Sequence, residues 1–357
     1  MKRGGSMKAM FVFLAMAFIL ALASGAGAQP GEFVKGVLQP LADGFPKRAI
    51  TVVNVDDAGS RDGIFVRQVY AAMKPFSPVD VVISDEPAPS NATWNALKDI
   101  SDRDGGLDGY YPFMFSAFGS TTELLTEPVE KDLGVKFSDL SMVIDILSTN
   151  DVFFTRKNAP WGKSFAAFVK YAKEHPGELK YISVDVGSGN DIRSSYLIKE
   201  LGIKVKKIPQ GGHQEVAATI GAGAGDFTLG APDVAITNWE AGRIEVLMVQ
   251  GDVVPPPWDK DPNIVTAKAA GVDLLRGAIR GFGVPSKVPR AHIDWLSKLF
   301  KAAATSDAFK NQMKLVPGIN WLMLGPTEAD ALNRKILDQA DPIVTDLGLR
   351  WDQQKKK

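Results

Sequence analysis

Two glycine-bearing turns carry the residues best suited to chemistry in this chain: Ala58-Gly59-Ser60-Arg61-Asp62 and Gly187-Ser188-Gly189-Asn190. Each falls between a strand-like apolar run and a segment of helical spacing. A turn in that position aims free backbone N–H groups, and the positive end of a helix dipole, at whatever lies beyond the strand. The group favoured by such a geometry is an anion. Glycine permits close approach, and Ser60, Ser188 and Asn190 add side-chain donors. Tight packing of a strand against a helix also uses glycine turns, so spacing alone leaves both readings open. His213, with Glu215 two residues on and Asp226 further along, supplies a general base and two carboxylates, the material of an exported hydrolase or lyase.

The signatures of common catalytic sites are missing. The chain contains no Gly-x-Ser-x-Gly elbow, no Walker loop and no His-Glu-x-x-His. Gly221-Ala222-Gly223-Ala224-Gly225 follows the apolar positions Val216 and Ile220 of an expected helix rather than opening one, which argues against a dinucleotide site. With no cysteine among 357 residues, thiolate metal sites, iron–sulfur clusters and cysteine nucleophiles are excluded. His175, His213 and His292 are too scattered to pair on a metal, so neither metal nor cofactor is expected.

The turns need elements to hold them. Ile50 to Val55, Val79 to Ile83, Ser141 to Leu147, Tyr181 to Val184, Val205 to Ile208 and Ile244 to Val249 read as strands. Between them, Phe165, Phe168, Val169 and Ala172 mark an amphipathic helix opened by Ser164, and Ser194 to Leu201 a short helix stopped by Gly202. A final helical stretch runs from Thr327 to Gly348 with a break expected at Pro342. Alternating strands and helices predict an α/β fold with mostly parallel sheets.

Residues 9–23 are fifteen uncharged, mainly apolar positions, preceded by Lys2, Arg3 and Lys8 and followed by Ala26-Gly27-Ala28. That layout is a secretory signal peptide over residues 1–28; as a helix the run rises only about 22 Å, short of a roughly 30 Å hydrocarbon core. Cleavage after Ala28 leaves 329 residues with 38 basic and 41 acidic side chains, a net charge of −3. No basic excess remains to bind nucleic acid. Without cysteine there is no lipidation site, so the exported chain is expected to be free in the periplasm.

Further short motifs run in one order along nearly the whole mature chain: Pro46-Lys47-Arg48-Ala49-Ile50, Ala58 to Asp62 with Arg67, Val82 to Ala88, Asp108-Gly109-Tyr110, His175 to Tyr181 leading to Gly187, Pro209-Gln210-Gly211-Gly212, Gly225-Asp226-Phe227, Ala241-Gly242-Arg243 and Gly281 to Pro285. Together they resemble the periplasmic solute receptors of tripartite tricarboxylate transporters, the TctC or Bug proteins. The resemblance implies a two-lobed clamshell, each lobe a mostly parallel sheet flanked by helices, with a ligand cleft between the lobes. By position, lobe I is residues 29–149 and 250–357 and lobe II is 150–249. It implies a monomer that holds a small organic acid, a di- or tricarboxylate or an aromatic acid, and delivers it to the transporter's membrane subunits without chemistry. The carried-over ligand contacts are Ala58, Gly59, Ser60, Arg61 and Asp62, then Gly187, Ser188, Gly189 and Asn190, with Gln210, Gly211, Gly212, His213 and Asp226 lining the cleft. A receptor that signals to a membrane kinase uses the same closed surface. The first loop departs from the family pattern by carrying Asp56 and Asp57, which would oppose an anion if they faced inward. Tyr110, Tyr111, Phe113, Phe227 and Trp239 supply rings for an aromatic ligand or for a core.

Overall fold

The computed structural model describes residues 29–354 apart from 89, 185, 273–276, 315 and 317. The expected signal peptide lies outside the described residues. Among those described, no helix is long and apolar enough to cross a membrane.

The chain enters one sheet through strand β1 (Ile50–Asn54), helix α1 (Arg61–Met73), β2 (Val81–Asp85), α2 (Ala92–Asp102), β3 (Phe113–Ser116), α3 (Ala117–Thr126) and β4 (Leu140–Thr149). Asn150 and Asp151 then carry it to a second sheet. There it forms β5 (Val152–Arg156), α4 (Phe165–Glu174), β6 (Lys180–Ser183), α5 (Gly189–Glu200), β7 (Lys206–Pro209), α6 (His213–Gly221), β8 (Phe227–Gly230), α7 (Pro232–Glu240), β9 (Ile244–Val249) and β10 (Val265–Thr266). It returns to the first sheet as β11 (Ala278–Pro285), followed by α8 (Arg290–Thr305), α9 (Asp307–Met313), β12 (Ile319–Leu324) and α10 (Pro326–Asp346).

The strand orders are β12-β4-β11-β3-β1-β2 in the first sheet and β10-β9-β5-β8-β6-β7 in the second. The α/β class and the two-lobed form are as expected. The sheets, however, are mixed rather than mostly parallel: β11 pairs antiparallel with both β3 and β4, and β5 antiparallel with both β8 and β9. The reason is the crossing itself, because a chain that hops between sheets enters each one against the direction of its βαβ strands. The return also comes later than residue 250, since β10 still pairs with β9 through Met248 and Val265. Residues 250–266 therefore stay with the second sheet.

Alternation along β5 shows how one strand serves two layers: Phe153 packs with Phe168, Tyr181 and Phe227, while Val152 and Phe154 pack with Ile182, Val216 and Ile244 on the other face. In the first lobe Trp94, Phe113, Phe115 and Phe282 lie fully inside one continuous core. Phe113 and Phe227 thus belong to the cores, not to a ligand. Three readings of the sequence shift. Helix α5 opens at Gly189, not Ser194, because Ser188 Oγ accepts from Asp191 N–H at 3.2 Å and so caps it. Strand β11, with Gly281 and Gly283, had no strand-like pattern. Pro342 does not interrupt α10; it faces solvent, as does Asp338, whose carbonyl loses a helical partner there and can be hydrated.

Asp145 on β4 is fully buried, with Asn333 Nδ2 donating to its Oδ2 at 3.0 Å. Burial pushes its carboxyl up to about 7, against the hydrogen bond from Asn333, which lowers it. The folded chain therefore keeps this proton at pH values where the unfolded chain has lost it, and stability falls as pH rises from about 4 to about 7. We expect Asp145→Asn to remove that loss, gaining about 1–3 kcal/mol over the parent at pH 8 relative to pH 4, measured by urea unfolding. An equal effect at both pH values would show that the carboxyl is already ionised in the fold.

Candidate functional site

The two turns sit where parallel strands deliver them, at the C-terminal ends of β1 and β6, the position at which open α/β sheets hold ligands. In the first turn Ser60 caps α1, its Oγ accepting from Gly63 N–H at 2.9 Å. A chain of contacts sets the approach. Arg67 pairs with Asp85 at 2.6 Å, and buried Asn54 donates from Nδ2 to Asp85 Oδ1 and to the Asp56 carbonyl, each at 2.7 Å. The Arg67 guanidinium holds Asp85 below the usual carboxylate range, assisted by Asn54. Ala58, Gly59 and Asp57 are exposed, whereas Asp56 lines a cavity.

In the second turn Gly187 has φ of +82°, the left-handed region that glycine suits, and its N–H donates to Asp191 Oδ2 at 2.9 Å. Lys207 Nζ donates to the same carboxylate at 2.6 Å. Asn190 turns inward and donates to the Leu229 carbonyl at 3.1 Å. Gly189 abuts the other lobe: a Cβ there would stand 3.1 Å from Phe118 Cδ1 and 3.5 Å from Gly119 Cα.

Gly119 and Ser120 belong to the wall of a 260 Å³ cavity, whose lining also includes Asp56 and Asp62 of the first turn, Ser90, Asn91 and Thr93 at the opening of α2, Ser116, and Glu123 of α3. It lies at the ends of β1 and β3, beside the opening of α5. No ring lines it among the described residues. A larger cavity of 790 Å³ sits elsewhere, against the crossing segments at Asn150, Gln250, Gly251 and Gly277. That one is bounded by the crossing segments and touches neither turn, whereas the smaller cavity is lined by Asp56 and Asp62 at the first turn.

Charged groups stitch the lobes beside it. Arg61, at the opening of α1, donates from Nη2 to Asp233 at the opening of α7, at 2.6 and 2.8 Å. Within the first lobe, Asp62 accepts from Arg280 Nε at 2.6 Å, and Arg280 reaches Thr149 at 3.2 Å. Arg193 of α5 pairs with Asp151 of the crossing at 2.7 Å, both buried, and stands 5.0 Å over the Phe118 ring of the first lobe. Lys199 of α5 pairs with Asp346 of α10.

The remaining expected residues divide. Gln210 follows β7, Gly211 N–H is taken by Glu215 Oε2 at 3.1 Å, and Gly212 caps α6. His213 opens α6 within the electrostatic reach of Arg61, Asp151, Arg193 and Asp233. Burial, then the Arg61 charge, lowers its pKa, so the ring is neutral near pH 7. Asp226 is a correction. It precedes β8 and accepts from Arg156 Nε and from the amide of Lys180 at the start of β6, each at 2.8 Å. Since β6 and β8 run parallel, this is the end of the sheet opposite the cleft. His213 therefore has no partner in Asp226, and Glu215 is engaged by Gly211. No hydrogen bond joins the His213 ring to a carboxylate among the described residues, nor does any group of three or more His, Asp or Glu there form a metal cluster.

Asn91 and Glu123 escaped the sequence reading. Asn91 sits at φ of +51° before α2, a left-handed conformation that a short polar side chain tolerates, and Glu123 faces the cavity from α3. A Ser-Asn-Ala-Thr run before an apolar helix marks such an opening; nothing local marks Glu123.

Residues 107–348 match the family model described as the tripartite tricarboxylate transporter family receptor, TctC. The chain belongs to that family. TctC proteins are periplasmic solute-binding receptors, not enzymes, and the hydrolase reading falls with that assignment. Among relatives, a UPF0065 protein of Bordetella pertussis is 24% identical over 315 residues, covering 87% of this chain and 92% of its own. A UPF0065 protein from Cupriavidus necator is 22% identical over 307 residues, covering 84% and 86%. The fold matches a TctC solute-binding protein from Polaromonas at a TM-score of 0.71 and 17% identity, covering 85% of this chain and 99% of that one. It also matches the adipate-bound Rpa4515 of Rhodopseudomonas palustris at 0.66 and 18%, covering 84% and 97%. The malate-bound MatC of the same organism matches at 0.61 and 17%, covering 84% of this TctC receptor and 100% of MatC.

Proposed function

We propose that this receptor captures one small organic acid between its lobes and presents it, closed, to the membrane subunits of a tripartite tricarboxylate-type transporter. The observation that carries the reading is the meeting of the α5 opening with Phe118 and Gly119 at the wall of the 260 Å³ cavity that the first turn also lines. The lining of that cavity belongs to the first lobe, and the N–H groups of Gly189 and Asn190, unpaired within their helix like those of Arg61 and Asp62, would meet a carboxylate there from the second side. Contacts from both lobes make the closed state the one a ligand stabilises. The adipate and malate bound by the structural neighbours are acids of suitable size.

The lobes in this proposal are residues 29–149 with 278–354, and 152–266, joined by the two crossings. Export rests on the signal-peptide pattern of residues 1–28, and the receptor works as an untethered monomer. A ligand at 100 times its Kd stabilises the fold by about 2.7 kcal/mol, well within a melting screen. Mono-, di- and tricarboxylates and amino acids should include at least one that raises Tm; flat melting curves across all of them would end the carboxylate assignment. His213→Ala should alter affinity at most and reveal no turnover to lose. Its removal should also flatten the fall in stability below about pH 6.5, where the unfolded chain takes up a proton that the half-buried ring resists.

A further inference from the structure

The anion-holding groups around the cleft are largely occupied by the chain's own carboxylates. Gly187 N–H is taken by Asp191, Gly211 N–H by Glu215, Arg61 by Asp233, Arg193 by Asp151 and Arg280 by Asp62. What remains without such a partner is the first-turn amides of α1 and α5. The 260 Å³ cavity beside them carries acids and, among its described lining residues, no base. Asp62 is neutralised by Arg280, which leaves Asp56 and Glu123 facing the space.

Two lining atoms are withdrawn from solvent with no hydrogen-bond partner: Asn91 Oδ1 and Glu123 Oε2. The Glu123 side chain keeps part of its surface in solvent, but this oxygen does not. Burial, with the Glu127 charge adding to it, pushes the Glu123 carboxyl up to about 8, as befits an acid that has no cation beside it. Shielded acceptors without donors are rare in folded proteins and mark where a donor arrives. A second ligand carboxylate brings no donor for Asn91 Oδ1 and no positive charge, and could pair with Glu123 only through the proton that burial keeps on that carboxyl. A hydroxyl brings one donor, and an ammonium brings three with a positive charge.

We propose that Glu123 is a specificity-determining residue, accepting from a ligand ammonium group together with Asn91, so that the ligand is an acid bearing a primary amine rather than a bare di- or tricarboxylate. This rests on the cleft being the ligand site, as proposed above. Calorimetric titration of the whole protein with matched pairs, glutarate against glutamate and adipate against 2-aminoadipate, tests it. The amine-bearing member of at least one pair should bind 10-fold or more tighter than its partner, and Glu123→Gln should cut that ratio at least 10-fold while leaving Tm of the free protein within a few degrees. Diacids that bind as tightly as their amino partners would overturn the amine assignment and leave the acid-receptor reading standing. A ratio unchanged in Glu123→Gln, or in Glu123→Leu should the first variant fold poorly, would overturn the role of Glu123. Titrations in which no member of either pair binds would overturn the proposal for both.

Discussion

Replacing Gly189 by valine should lower ligand affinity about 100-fold, a loss of about 2.7 kcal/mol, while each lobe stays folded. Gly189 is the first residue of α5, and a Cβ there would meet Phe118 Cδ1 at 3.1 Å, Arg193 Nη1 at 3.5 Å and Gly119 Cα at 3.5 Å. These neighbours lie across the seam from the helix or brace it. The two further methyl groups of valine have nowhere to go except between the lobes, because Phe118 is itself buried and cannot retreat. The closed state is therefore the one that suffers, and the ligand gains its full set of contacts only there. Gly59 is the control. A Cβ at Gly59 meets nothing within 4 Å, so Gly59→Val should bind within about threefold of the parent if the first turn contributes amides rather than close approach at this position. Calorimetry of both variants with any acid found by melting shift checks the pair. Gly189→Val binding within threefold of the parent would show that the seam between α5 and α3 is not closed around the ligand.

The largest stability effect should come from Asp151→Ala, at about 3–5 kcal/mol by urea unfolding. Asp151 lies on the first crossing and Arg193 on α5, joined at 2.7 Å with side chains 7% and 6% exposed. Deleting the carboxylate strands a guanidinium that cannot reach water, and the loss of a buried charge partner costs more than the pair contributes when intact. The double variant Asp151→Ala with Arg193→Met should recover most of that cost, since it removes both charges and keeps an unbranched side chain against Phe118. A single-variant cost under 1 kcal/mol would mean the pair is hydrated. The same pair ties hinge to cleft: Arg193 reaches Phe118 of the first lobe from a helix anchored to the crossing, so the single variant should also weaken closure.

Much of the fold was legible where periodicity is local. Ile50–Asn54, Ile244–Val249 and the Ser164-capped helix Phe165–Glu174 fall where alternation, apolar spacing and the cap placed them. The mixed sheets were not, because their antiparallel members are the crossing strands β5 and β11 and the late edge strand β12, and β11 reads Ala-Ile-Arg-Gly-Phe-Gly with little β-branched content. Its glycines answer to neighbours that only the fold supplies: a Cβ at Gly281 would strike the Ile144 carbonyl at 2.3 Å. The candidate site was legible in its glycine turns and capping serines, which are backbone devices with a short sequence signature. Asp226 shows the limit. Its place among the ordered motifs led to an expectation of the cleft, yet parallel pairing of β6 and β8 puts it beside Arg156 at the far end of the sheet. Glu123 and Asn91 were invisible for the complementary reason, since their place in the cavity depends on α2 and α3 packing across the ends of β1 and β3.

One carboxylate gripped from two sides, by the helix openings of α1 and α5, is what would make these two lobes a receptor. A crystal structure with the best acid from the melting screen is the decisive measurement. Carboxylate oxygens should lie at about 2.7–3.2 Å from first-turn amide nitrogens of both helices, with the rest of the ligand in the cavity lined by Asn91 and Glu123. An acid bound instead in the 790 Å³ space at the crossings, or touching the amides of one lobe only, would refute the two-sided grip.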